Sequence, residues 1–198
     1  MKLGFIARAA VCVLFAGATS IAAAGTGSAA ADVELNITYS CTFTLIGAQD
    51  QPSTVTATGL PDAAVVGEPT AEAQTKVVST VSKSASDVLK WLGAATVEGT
   101  LNTTNSVDNA GTVSQVTSSL VIPKTNVGTG DTFDVTATGT FPSLTLANAG
   151  TTSISLGNAS LIITPRHADG STTFLGTITN PCVVKAGQNT KLHEFQVS

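Results

Sequence analysis

The strictest pattern in this sequence is an alternation of apolar and polar residues that begins shortly after the N-terminal region. Every second residue is apolar, and all residues between them are polar; the apolar set is Val33, Leu35, Ile37, Tyr39, Cys41, Phe43 and Leu45. A period of two is typical of a β-strand with one buried face. Such a strand would be more than about 40 Å long, which exceeds most strands. We therefore expect a bend or bulge that divides it between two sheets.

Shorter candidate strands follow along the rest of the chain, separated by turn signals. They are Thr54–Thr58, Lys76–Val81, Thr96–Thr103, Thr112–Ile122, Thr132–Thr138, Thr152–Leu156, Ala159–Thr164, Thr172–Ile178 and Thr190–Val197. The turn signals include Asn109-Ala110-Gly111 and Asp169-Gly170, and the second of these predicts a hairpin because it joins two β-rich runs.

One short helix interrupts this series of strands. Ser84 is its predicted N-cap, Asp87 lies favourably in the first turn, and Gly93 ends it. Its apolar face consists of Val88, Leu89, Trp91 and Leu92. We expect this helix to cross between sheets and to plug one end of the core.

Many short strands with glycine-rich turns and one helix predict an all-β fold. The interpretation we favour is a two-sheet β-sandwich with immunoglobulin-like or Greek-key-like connections, formed by a single domain of residues 32–198. A closed barrel is the main alternative.

The N-terminus has the three parts of an export signal. Lys2 and Arg8 are basic, the segment 9–24 is apolar and uncharged, and Ala29 with Ala31 satisfies the small-x-small rule of signal peptidase. We predict a signal peptide of residues 1–31, cleaved between Ala31 and Asp32. The mature chain is then secreted, extracellular or at the cell envelope, with no membrane span.

The charge of the mature chain limits its partners. Removal of Lys2 and Arg8 leaves seven basic against 13 acidic residues, so the net charge falls from -4 to -6. Nucleic acids and anionic membranes are both recognised through basic patches. We therefore expect neither as a partner, and the sequence indicates no cofactor.

Two of the three cysteines remain after cleavage, Cys41 and Cys182. An even pair in an oxidising compartment favours a disulfide, which would close a loop of about 140 residues. Two free buried thiols are the alternative. A metal site is less favoured because no Cys-x-x-Cys and no histidine cluster supply further ligands.

No catalytic motif is evident in the sequence. His167 lies at a predicted hairpin tip and His193 on the last strand, and no Gly-x-Ser-x-Gly motif is present to form a nucleophile elbow. We predict a catalytic role for neither histidine.

The carboxylates give an equally weak signal. Asp131 and Asp134 flank the start of one strand, and solvated turn residues explain them better than a glycosidase pair. Asp108, Asp131 or Asp169 are candidate calcium ligands, but no twelve-residue calcium loop is present. We predict no metal site.

Few aromatic residues are left to stack on a sugar. The mature chain has one Trp, one Tyr and five Phe, and most of them are assigned to buried faces. Phe141, in a predicted loop before Pro142, is the one candidate for a glycan platform.

Several segments resemble a known family of secreted domains. Tyr39-Ser40-Cys41-Thr42-Phe43-Thr44-Leu45-Ile46-Gly47 opens the domain, and Pro181-Cys182, Ala186-Gly187-Gln188 and Phe195-Gln196-Val197 close it. The central Leu92-Gly93-Ala94-Ala95-Thr96-Val97-Glu98-Gly99 is also similar. The family is one of unknown function from high-GC Gram-positive (actinobacterial) bacteria. The resemblance implies a secreted β domain with a Cys41–Cys182 bridge, and it implies no activity.

The leading functional hypothesis is a non-enzymatic β-sandwich with a structural or protein-interaction role at or near the bacterial cell envelope, its partner being another envelope protein or a glycan. A ligand-binding domain for a glycan or small apolar molecule is the alternative, and a secreted hydrolase is third. A deep pocket with a histidine and a carboxylate would favour a hydrolase. An exposed strip of aromatic residues would favour glycan binding, and an unpaired edge strand would favour a protein partner.

Overall fold

The computed structural model describes residues 30–198, which form eleven β-strands and one α-helix. In chain order these elements are β1 (Ala30–Phe43), β2 (Gly47–Pro61), β3 (Ala63–Ala64), β4 (Ala73–Val81), α1 (Lys83–Trp91), β5 (Thr96–Asn109), β6 (Thr112–Asn126), β7 (Phe133–Phe141), β8 (Gly150–Ser155), β9 (Ala159–Arg166), β10 (Ile178–Val184) and β11 (Lys191–Val197). The predicted signal peptide, residues 1–31, lies outside the described residues except for Ala30 and Ala31, which begin β1. Its cleavage before Asp32 stays a prediction.

Eight of the strands form a closed antiparallel barrel. Following the hydrogen-bonded neighbours, their order is β5-β6-β7-β4-β2-β1-β10-β9, and β9 pairs again with β5. The closing pair joins Thr96–Thr103 of β5 to Ala159–Arg166 of β9, with Gly99 opposite Ile163. Because every strand of this ring has a partner on both sides, the ring has no free edge.

The predicted two-sheet sandwich is therefore wrong, and the closed barrel, which was the alternative, is the observed fold. A sandwich and a barrel share the same alternation of inward and outward side chains along each strand. What distinguishes them is which strands pair, and the closing pair here joins segments about 60 residues apart in the chain.

The opening alternation is confirmed as β1 up to Phe43, and its inward side chains Ile37, Tyr39 and Cys41 are buried. Its last member, Leu45, is wrong, because it lies in the turn after β1 and is 46% exposed. The expected division of this strand between two sheets is wrong. β1 pairs with β2 from Ala30 to Phe43, with one register shift next to Asp32. A long strand fits here because a tilted strand can follow the curved wall of a barrel.

The remaining strands, β8, β11 and β3, extend from one side of the barrel. The second half of β5 leaves β9 and pairs with β8, which pairs in turn with β11, and β11 pairs with β3. Their buried residues, such as Ile154 and Phe195, belong to the same core as Ile37.

Gly157 lies where β5 changes partner from β9 to β8. A Cβ atom at this position would be 2.0 Å from the carbonyl oxygen of Thr104, far inside van der Waals contact. A glycine is required here because the backbones of the two segments approach too closely for any side chain.

One predicted strand is misplaced near the C-terminus. Residues 173–177, within the predicted strand Thr172–Ile178, form no strand, and β10 instead spans Ile178–Val184. The turn at Asp169-Gly170 is present, since the Asp169 carboxylate accepts a hydrogen bond of 2.9 Å from the Ser171 N–H. The predicted hairpin is confirmed, since Arg166 pairs antiparallel with Thr172 across this turn and the His167 N–H donates to the Ser171 carbonyl oxygen at 2.8 Å.

The predicted helix is confirmed as α1, with three corrections. Asp87 lies beyond the first turn, which contains no acidic residue, because the helix already begins at Lys83. Its N-cap is Ser82 rather than Ser84, because the Ser82 hydroxyl accepts a hydrogen bond from the Ala85 N–H at 3.3 Å. Leu89 and Leu92 are buried against the barrel end, whereas Trp91 is 74% exposed and does not belong to the buried face. Gly93 follows with φ +70°, as expected of a helix end.

Within residues 30–198, no helix has the length and apolar character that crossing a bilayer requires.

Candidate functional site

The barrel interior contains a cavity beneath α1. Its volume is about 110 Å³, and all eight barrel strands contribute side chains to its wall. Most of these side chains are aliphatic or aromatic, for example Val77, Leu101, Ile122 and Leu161. They face inward because alternate residues of a strand point to the same side. The fold therefore creates an apolar chamber with α1 packed against one end.

The cavity reaches the surface at the α1 end of the barrel. The turn between β1 and β2 contributes Leu45 and Ile46 to its lining, and the connection between β9 and β10 contributes Leu175. Leu45 is 46% exposed, so an apolar side chain of this turn contacts both the cavity and solvent. We call this end of the barrel the mouth, defined by α1, Leu45, Ile46 and Leu175.

Two exposed aromatic rings meet beside the mouth. Trp91 at the end of α1 and Phe174 in the connection between β9 and β10 contact each other edge to face, with ring centroids 6.2 Å apart. Each of these side chains is largely exposed to solvent. The contact ties the end of α1 to the loop that carries Leu175.

One wall of the cavity carries polar groups. Gln51 and Ser53 of β2 and Ser79 of β4 line it, and the Ser53 and Ser79 hydroxyls are hydrogen-bonded at 2.7 Å. The side-chain nitrogen of Gln51, Nε2, is buried and has no hydrogen-bond partner among the described residues. No Asp, Glu, Lys, Arg or His is among the described residues that line this cavity. The site therefore offers a neutral, hydrogen-bonding wall opposite an apolar one.

Tyr39 separates this chamber from a smaller, deeper one. The inner cavity has a volume of about 20 Å³, and Tyr39, Val77 and Leu101 line both spaces. Burial raises the pKa of the Tyr39 hydroxyl from 10.0 to about 12. In the inner cavity, Asn105 Oδ1 and the Ser118 hydroxyl are buried without a hydrogen-bond partner among residues 30–198.

The cysteine pair of the sequence analysis lies in the wall of the main cavity. Cys41 and Cys182 form a disulfide with an S–S distance of 2.01 Å, and both side chains are buried. They occupy opposite positions on β1 and β10. The predicted pairing is confirmed, and the bond joins two neighbouring strands of the barrel.

Neither of the two histidines lines the cavity. His167 Nδ1 lies 2.9 Å from the Gly93 carbonyl oxygen, and His193 Nε2 lies 2.9 Å from the Pro61 carbonyl oxygen. The His193 ring is also stacked on Phe195. Each ring therefore has a local contact to the backbone that accounts for its position.

The candidate carboxylates stabilise local structure. Asp131 is 3.0 Å from the Lys83 ammonium group, whose hydrogen bond and charge lower the pKa of Asp131. Asp134 accepts a hydrogen bond from the Thr80 hydroxyl at 2.7 Å, and Asp108 accepts one from the Gly111 N–H at 2.8 Å. Hydrogen bonds from Ser171 lower the pKa of Asp169 in the same way. In the part of the chain that the structure describes, no three His, Cys, Asp or Glu residues are grouped so that they could hold a metal ion.

The glycan candidate Phe141 is misassigned. It is the last residue of β7 and is 5% exposed, so it belongs to the core and offers no platform. Among residues 30–198, the aromatic rings with the largest exposure are Trp91, which the sequence assigned to a buried face, and Phe174, which no pattern distinguished.

One family of proteins matches the chain over residues 38–193, and it is described as a family of unknown function, DUF6801. The chain belongs to this family. The membership confirms that the chain resembles a family of unknown function. No curated protein and no solved structure matches the chain significantly.

The DUF6801 match covers the whole candidate site. It begins within β1 and ends within β11, so all residues that line the main cavity, from Tyr39 to Cys182, fall inside it. Both cysteines of the disulfide do so as well. The cavity is therefore part of the DUF6801 domain itself and not of a flanking segment.

Proposed function

We propose that this DUF6801 domain binds a small apolar molecule inside its barrel. The observation that carries the proposal is the apolar cavity of about 110 Å³ that opens at the mouth. Ligand sites are typically concave and mostly apolar, with a few polar groups that orient the ligand. An engineered apolar cavity of about 150 Å³ in another protein binds benzene, so the smaller enclosed space here suits an apolar group of about four to five non-hydrogen atoms. A longer molecule would extend towards the mouth.

The cavity favours this function over the structural or protein-interaction role that the sequence put first. A protein-interaction module needs an exposed docking surface and does not require an open apolar cavity. A hydrolase is less favoured because the cavity wall provides no histidine and no carboxylate among the described residues. Glycan binding is less favoured because Trp91 and Phe174 are perpendicular and do not form a flat platform.

We further propose that the domain works outside the cell, as a secreted or envelope-associated binding protein of an actinobacterium. The Cys41–Cys182 disulfide supports this location because such bonds persist in oxidising compartments. The predicted signal peptide of residues 1–31 supports it independently.

Methyl NMR of the folded domain tests ligand binding directly. Titration with toluene or heptane should shift the methyl signals of Val77, Ile122 and Leu161, which line the cavity. The methyl signals of Val113 and Val121, which are exposed on β6, should not move. Equal shifts at both sets of methyl groups, or none at the cavity set, would refute the proposal.

A pair of matched variants locates the binding site. Ala137 lines the cavity, so Ala137→Leu should fill part of it and weaken toluene binding by about tenfold or more. Ala48 is an exposed residue of β2 that does not line the cavity, so Ala48→Leu should leave the affinity unchanged. Unchanged binding in both variants would place the ligand elsewhere.

A further inference from the structure

We propose that the ligand is a neutral molecule with one hydrogen-bonding oxygen, held with that oxygen against Gln51. This inference rests on the proposed function, since it names the class of molecule that occupies the same cavity. It depends on three properties of the cavity wall: the unpartnered hydrogen-bond donor of Gln51, the depth of Gln51 below the mouth, and the absence of charged side chains among the described residues.

The unpartnered donor is the Gln51 side chain. Gln51 is 6% exposed, lines the cavity, and its Nε2 has no hydrogen-bond partner among the described residues. Buried polar groups in folded proteins nearly always have a partner, because an unpaired donor loses its hydration without compensation. A ligand oxygen that accepts a hydrogen bond from Nε2 would supply this partner.

The depth of Gln51 orients the ligand. Gln51 pairs with Tyr39 and lies four residues beyond Gly47, where β2 begins next to the mouth. For a tilted strand this places it about 10 Å below the mouth. Ser53 and Tyr39 surround this end of the cavity, whereas Leu45 and Ile46 line the other end. A ligand would therefore insert its oxygen first and leave its apolar part towards the mouth.

The absence of charge selects a neutral oxygen. No Lys, Arg or His is among the described residues of the cavity wall, so an ionised carboxylate would be buried without a counter-charge. Burying an unpaired charge is far more costly than burying a hydrogen-bonded neutral group. A ketone, ester, amide or alcohol therefore fits the site better than a fatty-acid anion.

The test compares three probes with equal numbers of carbon atoms: heptane, 2-heptanone and heptanoate at neutral pH. Their affinities are measured by methyl NMR titration of the wild type, Gln51→Leu and the control Gln115→Leu. Gln115 is exposed on β6, so the same substitution there removes a glutamine remote from the cavity. Gln51→Met serves as a second variant that keeps an unbranched side chain if leucine perturbs the fold.

We expect Gln51→Leu and Gln51→Met to weaken 2-heptanone relative to heptane by about tenfold, which is the effect of one net hydrogen bond. Gln115→Leu should leave this ratio unchanged. In the wild type, heptanoate should bind at least about tenfold more weakly than 2-heptanone.

The outcomes separate this inference from the proposed function. If heptane binds but Gln51→Leu leaves the ratio unchanged, the cavity binds ligands and Gln51 does not select them, so the inference fails alone. If heptanoate binds more tightly than 2-heptanone, the neutral class is wrong. If none of the three probes binds, both the inference and the proposed function fail.

Discussion

Cys41 on β1 and Cys182 on β10 face each other across neighbouring barrel strands, with Cα atoms 4.0 Å apart, although 141 positions separate them in the chain. Their bond covalently links β1 to β10, and we call this junction of the two strands the seam. The strands on either side of this seam come from opposite ends of the domain, so their pairing in an unlinked chain requires closure of a very long loop.

Removing this disulfide should destabilise the barrel strongly. The double variant Cys41→Ala/Cys182→Ala should lower the free energy of unfolding by about 2–5 kcal/mol, because the unfolded chain regains the freedom of a loop of this length. Urea unfolding followed by circular dichroism measures the loss. Equal stability of the variant and the oxidised wild type would contradict the prediction.

Burial in the barrel wall protects the disulfide from reductant. Both sulfur-bearing side chains are 3% exposed. Intact mass spectrometry should therefore show no gain of two hydrogens when the folded protein is treated with a thiol, and the full gain after denaturation. Rapid reduction under native conditions would show that the seam opens readily.

Gly157 should tolerate no side chain. Gly157→Ala would place a Cβ 2.0 Å from the Thr104 carbonyl oxygen, so the strands must separate where β5 changes partner. We expect a loss of about 1–3 kcal/mol in the free energy of unfolding. Gly128 is the matched control, because a Cβ there would meet Phe133 at an ordinary 3.5 Å. Similar losses in both variants would indicate that the contact at Gly157 is not the cause.

Much of the local structure could be predicted because it depends on neighbouring residues. The alternation from Val33 to Leu45 predicted β1, and the apolar face of Leu89 and Leu92 with Gly93 predicted α1. The closure of the barrel could not be predicted in this way. It depends on the pairing of β5 with β9, and neither strand carries a signal that specifies the other. β10 was missed because Thr179-Asn180-Pro181 interrupts its apolar pattern.

The site was missed for a related reason. On β2, Gln51 and Ser53 continue the inward-facing series of Val55 and Ala57, and all four residues are buried. In the sequence, a polar residue at such a position looks the same as one on a solvent-facing strand end. A strand prediction extended from Thr54 back to Gln51 would have shown a buried amide, which is the available signal for a binding wall.

Two buried serines should respond differently to the same substitution. The Ser53 hydroxyl is bonded to Ser79 at 2.7 Å, whereas the Ser118 hydroxyl has no partner among the described residues. Ser53→Ala should lower the free energy of unfolding by about 1 kcal/mol, because it also leaves Ser79 unpaired. Ser118→Ala should leave it unchanged or raise it by up to about 1 kcal/mol. Chemical denaturation of both variants measures the contrast. Equal losses would mean that Ser118 has a hydrogen-bond partner in solution, such as a bound water in the inner cavity.

Tyr39 makes the stability of the barrel sensitive to alkaline pH. Burial raises the pKa of its hydroxyl to about 12, whereas in the unfolded chain the pKa is near 10.0. Between these values the unfolded tyrosine has lost its proton and the folded one retains it. The unfolded state is therefore favoured increasingly as the pH rises from 10 to 12. The stability that the folded state has relative to the unfolded state is unaffected by this group below pH 10 and is lost progressively above it. In this window the free energy of unfolding should fall by about 1.4 kcal/mol per pH unit because of this group.

The chain contains a single tyrosine, so the ultraviolet absorbance of tyrosinate reports Tyr39 alone. Its titration midpoint should lie near pH 12 in the folded protein and near pH 10 in denaturant. Lysines titrate in the same range, so the matched control is Tyr39→Phe, which keeps the ring in the core and removes the hydroxyl. This variant should lose less stability than the wild type between pH 10 and 12. A native midpoint near 10, or the same pH dependence in both proteins, would show that the Tyr39 hydroxyl is hydrated and that water reaches the wall between the two cavities.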